Sequence, residues 1–190
     1  MSNKITLIKK ENVMKAYDKA TSAQKELLEN LFGREMFQPK DITERVKTFE
    51  DAVAILGNFN EDVVNYHIVS KVTSTKDILA FAKLRVIVEA LNEGWRPAFS
   101  KGEHRYYLLF SIYSKEKFDT LSEYYKNRCS VVGRSSGNSN AVDSFVCPSV
   151  YDASLSPYAQ SSSRLCFKTR ELAEYCGMQF IDIWADYLFA

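Results

Sequence analysis

The apolar positions of the last part of the chain set the frame for the rest. Leu172, Tyr175, Cys176, Phe180, Ile183, Trp184, Tyr187 and Leu188 recur at three- and four-residue steps, which is the period of one buried helix face. Thr169 stands where an N-cap belongs, with Arg170 and Glu171 in the first turn. The pattern predicts one long helix from there to the end. Before it, Arg164 to Phe167 reads as a last strand feeding that helix.

The first half of the chain is helical by the same criterion. Val13, Met14 and Tyr17 mark a short helix, and Thr21 with Gln24 forms a capping box for a second one through Leu27, Leu28, Leu31 and Phe32, ended by Gly33. Pro39 lies in a linker, and Asp41 can cap the turn after it. Thr48 with Asp51 opens a helix whose buried face is Phe49, Ala52, Val53 and Leu56, with Gly57 as its stop. Glu61 to Val72 is ambiguous. Its residue types favour a strand and its spacing permits a helix. Thr75 opens the most apolar N-terminal helix, expected at the centre of the core and ended by Asn92 and Gly94.

The texture changes at Gly94. Pro97 pushes Arg96 towards an extended conformation. Arg105 to Tyr113 reads as a buried strand, Lys115 to Asn127 as a short inserted helix, Cys129 to Gly133 as a strand, and Phe145 to Tyr151 as a strand bent or placed at an edge by Pro148. Two polar loops, Gly133 to Asn140 and Asp152 to Ser163, separate these pieces. The expected architecture is α+β in one domain: a helical part over about 1–94, then a small antiparallel sheet closed by a long C-terminal helix over about 95–190.

Composition narrows the function classes. The 190 residues are 46% apolar and 26% charged, as in an ordinary globular domain, and carry a net charge of +1. Dedicated nucleic-acid binders usually carry a basic surplus, so that class is disfavoured. No apolar run approaches the length needed to cross a bilayer, and no secretory leader is legible at the start. A soluble intracellular protein is the expectation. The four cysteines have wide, irregular spacing, which predicts buried thiols rather than a zinc site or disulfides.

Candidate chemistry is sparse. His67 and His104 are the two histidines, and neither belongs to a nucleophile or metal motif. The Gly133–Asn140 loop lacks the lysine ending of a phosphate-binding loop. No catalytic residue, metal ligand or cofactor is assigned. As contact residues for a partner, the sequence offers Trp95, Arg96, His104, Arg105, Tyr107, Arg134, Ser135, Asn138 and Arg164, on the stretch after Gly94 and on the loops.

Three stretches carry a resemblance. Asp41-Ile-Thr-Glu-Arg-Val-Lys-Thr-Phe-Glu-Asp-Ala, Ala90-Leu-Asn-Glu-Gly-Trp, and the tail over 163–184 are similar to uncharacterised proteins of gut-bacterial genomes and their phages. The resemblance implies a phage or prophage setting, in the cytoplasm of a bacterial host cell or in association with a virion, and no known activity. The resulting expectation is a binding or structural protein without catalytic activity, acting on a protein partner or on its own copies. The alternatives are nucleic-acid binding through Arg96, Lys101, Arg105, Tyr107, Lys126, Arg128 and Arg134, and an enzyme of unrecognised type using His104 or a cysteine beside a carboxylate.

Overall fold

A computed structural model describes residues 7–100, 102–132, 144–152 and 163–190. The protein is α+β, with helices dominating its N-terminal half. It divides into two compact units, Met1–Arg45 and Val46–Ala190, and the change of texture at Gly94 lies inside the second.

The first unit contains α1 (Lys10–Asp18), α2 (Ser22–Phe32), a 3₁₀ turn at Arg34–Met36, and α3 (Ile42–Arg45). The capping box of Thr21 and Gln24 forms as the sequence predicts. Tyr17 joins the helices by donating to Glu29 at 2.5 Å and stacking on Phe37 at 4.1 Å. Asp41 accepts from the Thr43 backbone N–H at 2.8 Å.

The second unit is built on α6 (Lys76–Asn92), which packs against α4 (Phe49–Leu56), α5 (Glu61–Val72) and α10 (Ile181–Phe189). Leu84, Val86, Ile87, Val88 and Leu91 are all buried, so apolar side chains leave α6 in several directions and each meets a neighbour. The ambiguous stretch at 61–72 is therefore helix α5. Asn60 caps it by accepting from the Asp62 N–H at 2.9 Å, and the contact with α6 outweighs the β-branched composition.

Among the described residues, three strands form the sheet: β1 (Tyr106–Tyr113), β2 (Ser130–Val132) and β3 (Ser144–Asp152), in the order β1-β3-β2, all antiparallel. β3 is thus the central strand, not the edge that Pro148 suggested. Among the described residues, β2 pairs with residues 144–146 alone, so at Pro148 the strand has a paired neighbour on one side, Phe110 of β1. A missing N–H is tolerated where there is no second neighbour to receive it. β1 is only partly buried: Tyr107 is enclosed, whereas Leu109 and Ile112, on opposite faces of the strand, stay exposed. Between β1 and β2 the predicted helix is two short ones, α7 (Lys115–Asp119) and α8 (Glu123–Lys126).

The C-terminal helix is also two. α9 (Arg170–Gln179) starts at Thr169, whose side chain accepts from the Leu172 N–H at 3.3 Å, and ends at Phe180, where α10 begins. α9 packs on β1 and β3, whereas α10 packs on α6, so a break at Phe180 lets one apolar stripe serve two surfaces. No glycine or proline marks it in the sequence. Gly177 brings α9 close to the sheet. A Cβ there would stand 2.7 Å from Leu108 Cδ2 and 2.9 Å from Pro148 Cβ.

Two further expectations are corrected. Arg164 to Phe167 is not a strand but a 3₁₀ turn at Ser163–Leu165 followed by a single bridge, Phe167 to Tyr106. On the side away from Tyr106, the Asn92 side chain takes the Cys166 carbonyl and the Lys168 N–H, where a further strand would otherwise have paired. Nor are all four cysteines thiols. Cys129 and Cys147 form a disulfide, while Cys166 and Cys176 are free and buried. Sequence spacing could not show this, because the pair is brought together by the β2–β3 pairing.

Candidate functional site

The site grows from the polar positions of α6. Arg85, Glu89 and Asn92 recur at four and three residues in the C-terminal half of a mainly apolar helix, so they share one face. Arg85 pairs with Asp62 of α5, whose carboxylate is buried. Glu89 accepts from Arg96 Nη2 at 2.8 Å and Nε at 3.2 Å, both through Oε1. Asn92 is buried and donates to the Cys166 carbonyl at 2.9 Å while accepting from the Lys168 N–H at 3.0 Å.

Beyond α6 the chain turns through Glu93 and Gly94, both at positive φ (50° and 82°). Glycine fits that conformation without cost. The segment that follows is braced at every step. The Trp95 N–H donates to the Asn92 carbonyl at 3.0 Å. The Glu103 carboxylate accepts from the Ala98 N–H at 2.9 Å and from the Phe99 N–H at 2.7 Å. Phe99 is held at φ 55°, a left-handed conformation that bulky side chains rarely adopt. Its ring carries the buried Arg105 guanidinium at 4.8 Å. Trp95 packs on the buried pair Tyr107 and Cys166.

These elements enclose a pocket of about 340 Å³. Asp62, Arg85, Glu89, Asn92, Arg96 and Arg164 are its polar lining, and Val88, Trp95, Pro97, Phe99 and Cys166 are the rest. Burial pushes the Cys166 thiol up to about 11, so it stays protonated near neutral pH and is a poor nucleophile.

Of the contact residues expected from the sequence, Trp95, Arg96 and Arg164 meet at this pocket. Arg105 and Tyr107 are buried and support its wall rather than offering a surface, because their neighbours Phe99 and Trp95 cover them. His104 is exposed elsewhere, 3.5 Å from Asp152 and stacked on Tyr106. Arg134, Ser135 and Asn138 lie outside the described residues, as does Lys101. Three of the cations offered for nucleic acid are engaged by acids. Arg96 pairs with Glu89, Lys126 lies 3.2 Å from Glu123, and Arg128 lies 3.4 Å from Glu174. Asp62, Arg85, Glu89 and Phe99 were not among the expected contacts. The spacing of polar residues along α6 was the signal that could have found three of the pocket's polar residues.

A second feature is the outer face of α5. Val64, Ile68 and Val72 recur at four-residue steps and are 39%, 56% and 77% exposed. Phe59, just before the helix, is fully exposed.

Comparison with family models, curated proteins and solved structures finds no match for this chain. Among the described residues, no helix is long and apolar enough to cross a membrane.

Proposed function

We propose that this is a non-catalytic binding protein of a phage or prophage that acts through protein–protein contacts, with the outer face of α5 as a contact surface. The observation that carries the reading is the exposed stripe Val64, Ile68 and Val72 on a helix that also buries Val63. A helix that is apolar on opposite faces is ordinarily covered on both, and exposed apolar patches mark interaction sites. The occupant is a protein partner or a second copy of the chain. The phage setting rests on the resemblance of the stretches at 41–52, 90–95 and 163–184. The Cys129–Cys147 disulfide supports the virion-associated end of that setting, because such bonds persist outside the reducing cytosol.

The test is photo-crosslinking from p-benzoylphenylalanine placed at Ile68, with Glu116 as an exposed control. The expected result is one adduct of defined mass from position 68 and none from 116, at twice the chain mass if the occupant is a second copy. Ile68→Glu, folded because the site is exposed, should abolish the same association. Equal labelling from both positions, or turnover of nucleotides, nucleic acid or peptides by the purified protein, would overturn the reading.

A further inference from the structure

Independently of the α5 surface, we propose that the pocket between α6 and the Trp95–Phe99 segment binds a small aromatic carboxylate. Its charge is the first argument. Three guanidiniums, Arg85, Arg96 and Arg164, face two carboxylates, Asp62 and Glu89, which leaves a surplus of one positive charge among the described lining residues. Arg164 is exposed and has no partner among the described residues, so the surplus is located on it. Arg96 spends Nε and Nη2 on a single oxygen of Glu89, which leaves Nη1 to donate. Guanidinium groups recognise a planar carboxylate through paired N–H donors.

The choice of carboxylate over phosphate follows from the same groups. Glu89 Oε2 and the Asp62 carboxylate stand on the pocket wall, and a dianionic phosphate would be repelled by both. A monoanion matches the surplus of one.

The aromatic part follows from the apolar lining. Trp95, Pro97 and Phe99 present flat apolar surface, where a ring stacks favourably and where only a few polar groups are needed to orient it. Phe99 is the independent sign that this wall is built for contact. A left-handed Phe is strained, and it persists here because Glu103 fixes its backbone and Arg105 lies on its ring. Strain of this kind concentrates at ligand clamps. The volume of about 340 Å³ suits one ring with a short acid arm rather than a dinucleotide or an extended peptide.

The experiment titrates the full chain with 3-phenylpropionate, followed by calorimetry and by tryptophan emission, with Trp95→Phe assigning the signal. Trp184 is the other tryptophan and is buried in the core. We expect saturable binding that is weakened about tenfold in Arg164→Gln, at unchanged melting temperature, and weakened similarly when the acid is replaced by 3-phenylpropanamide. A peptide ending in Phe, with a free or amidated C-terminus, separates the sources. Tighter binding of the free-ended peptide than of the small acid assigns the carboxylate to a chain end, and the reverse assigns it to a metabolite. The proposal is overturned if no carboxylate probe binds saturably, if the amide binds as well as the acid, if adenosine monophosphate binds more tightly than either acid, or if Arg164→Gln leaves the affinity unchanged.

Discussion

Asn92 joins the last turn of α6 to the backbone at Cys166, across a separation of 74 positions, by donating to its carbonyl at 2.9 Å. The same side chain accepts from the Lys168 N–H at 3.0 Å, so one amide completes a short strand-like segment that has a single bridge of its own. Asn92 is buried, and water does not replace it cheaply there.

Asn92→Ala therefore leaves a buried carbonyl and a partly buried N–H unpaired. The expected cost is about 2–3 kcal/mol in urea unfolding. Asn92→Asp keeps the acceptor and loses the donor, so it should not restore stability. A loss below about 0.5 kcal/mol in the alanine variant would mean that the clamp is dispensable.

Gly177→Ala should destabilise, although alanine is about 1 kcal/mol better than glycine within a helix. The added methyl meets Leu108 Cδ2 at 2.7 Å and Pro148 Cβ at 2.9 Å. The leucine tip can move, whereas the proline is fixed to the central strand. A net loss of about 1–2 kcal/mol is expected, read from the urea midpoint. A gain would show that α9 can lift from the sheet.

Trp184 is buried, with its ring 5.2 Å from Phe110 and 6.1 Å from Tyr187. Trp184→Ala should cost about 3–5 kcal/mol, a large part of what a domain of this size has to lose. Arg164→Ala, on the exposed side, should melt as the parent does. Unchanged melting of the tryptophan variant would make the stripe of α10 a surface rather than core.

Asp51 gives the protein a pH-dependent cap. Burial pushes its carboxyl up, but this is outweighed by hydrogen bonds from the Lys47 and Thr48 N–H groups (3.0 and 2.9 Å) and from Thr48, so its folded pKa lies below the ordinary value. A group depressed on folding stabilises fully above its unfolded pKa and loses that effect as pH falls through the folded one. Asp51→Ala should thus cost about 1 kcal/mol at neutral pH, with the gap to the parent closing below about pH 4. A gap independent of pH, measured by urea unfolding at both ends, would remove the carboxylate from the explanation.

Thiol counting checks the cysteine assignment. Cys166 and Cys176 are buried, and burial pushes their thiols up to about 11 and about 12. The native protein should not react with an alkylating reagent near neutral pH. Denaturation without reductant should expose two thiols, and with reductant four. Four without reductant would mean that Cys129 and Cys147 do not bond.

Local signals were sufficient wherever the physics was local. The Thr21–Gln24 and Thr48–Asp51 capping boxes, the stops at Gly33 and Gly57, the core helix α6 and the α+β class all follow from residues a few positions apart. Trp95, Arg96 and Arg164 are among the contact residues expected from the sequence, but nothing in their spacing shows that they converge on one pocket. Tertiary structure decided the rest. It made 61–72 a helix, because α6 supplied the burial that its composition alone would have sought in a sheet. It broke the C-terminal helix at Phe180, because the sheet and α6 each claim part of one stripe. It paired Cys129 with Cys147 through strand register. It also placed Asp62 and Glu89 opposite three arginines beside a strained Phe99. Periodicity reports which face of an element is apolar. Only packing decides what that face meets, and a site made from several elements exists only after they have met.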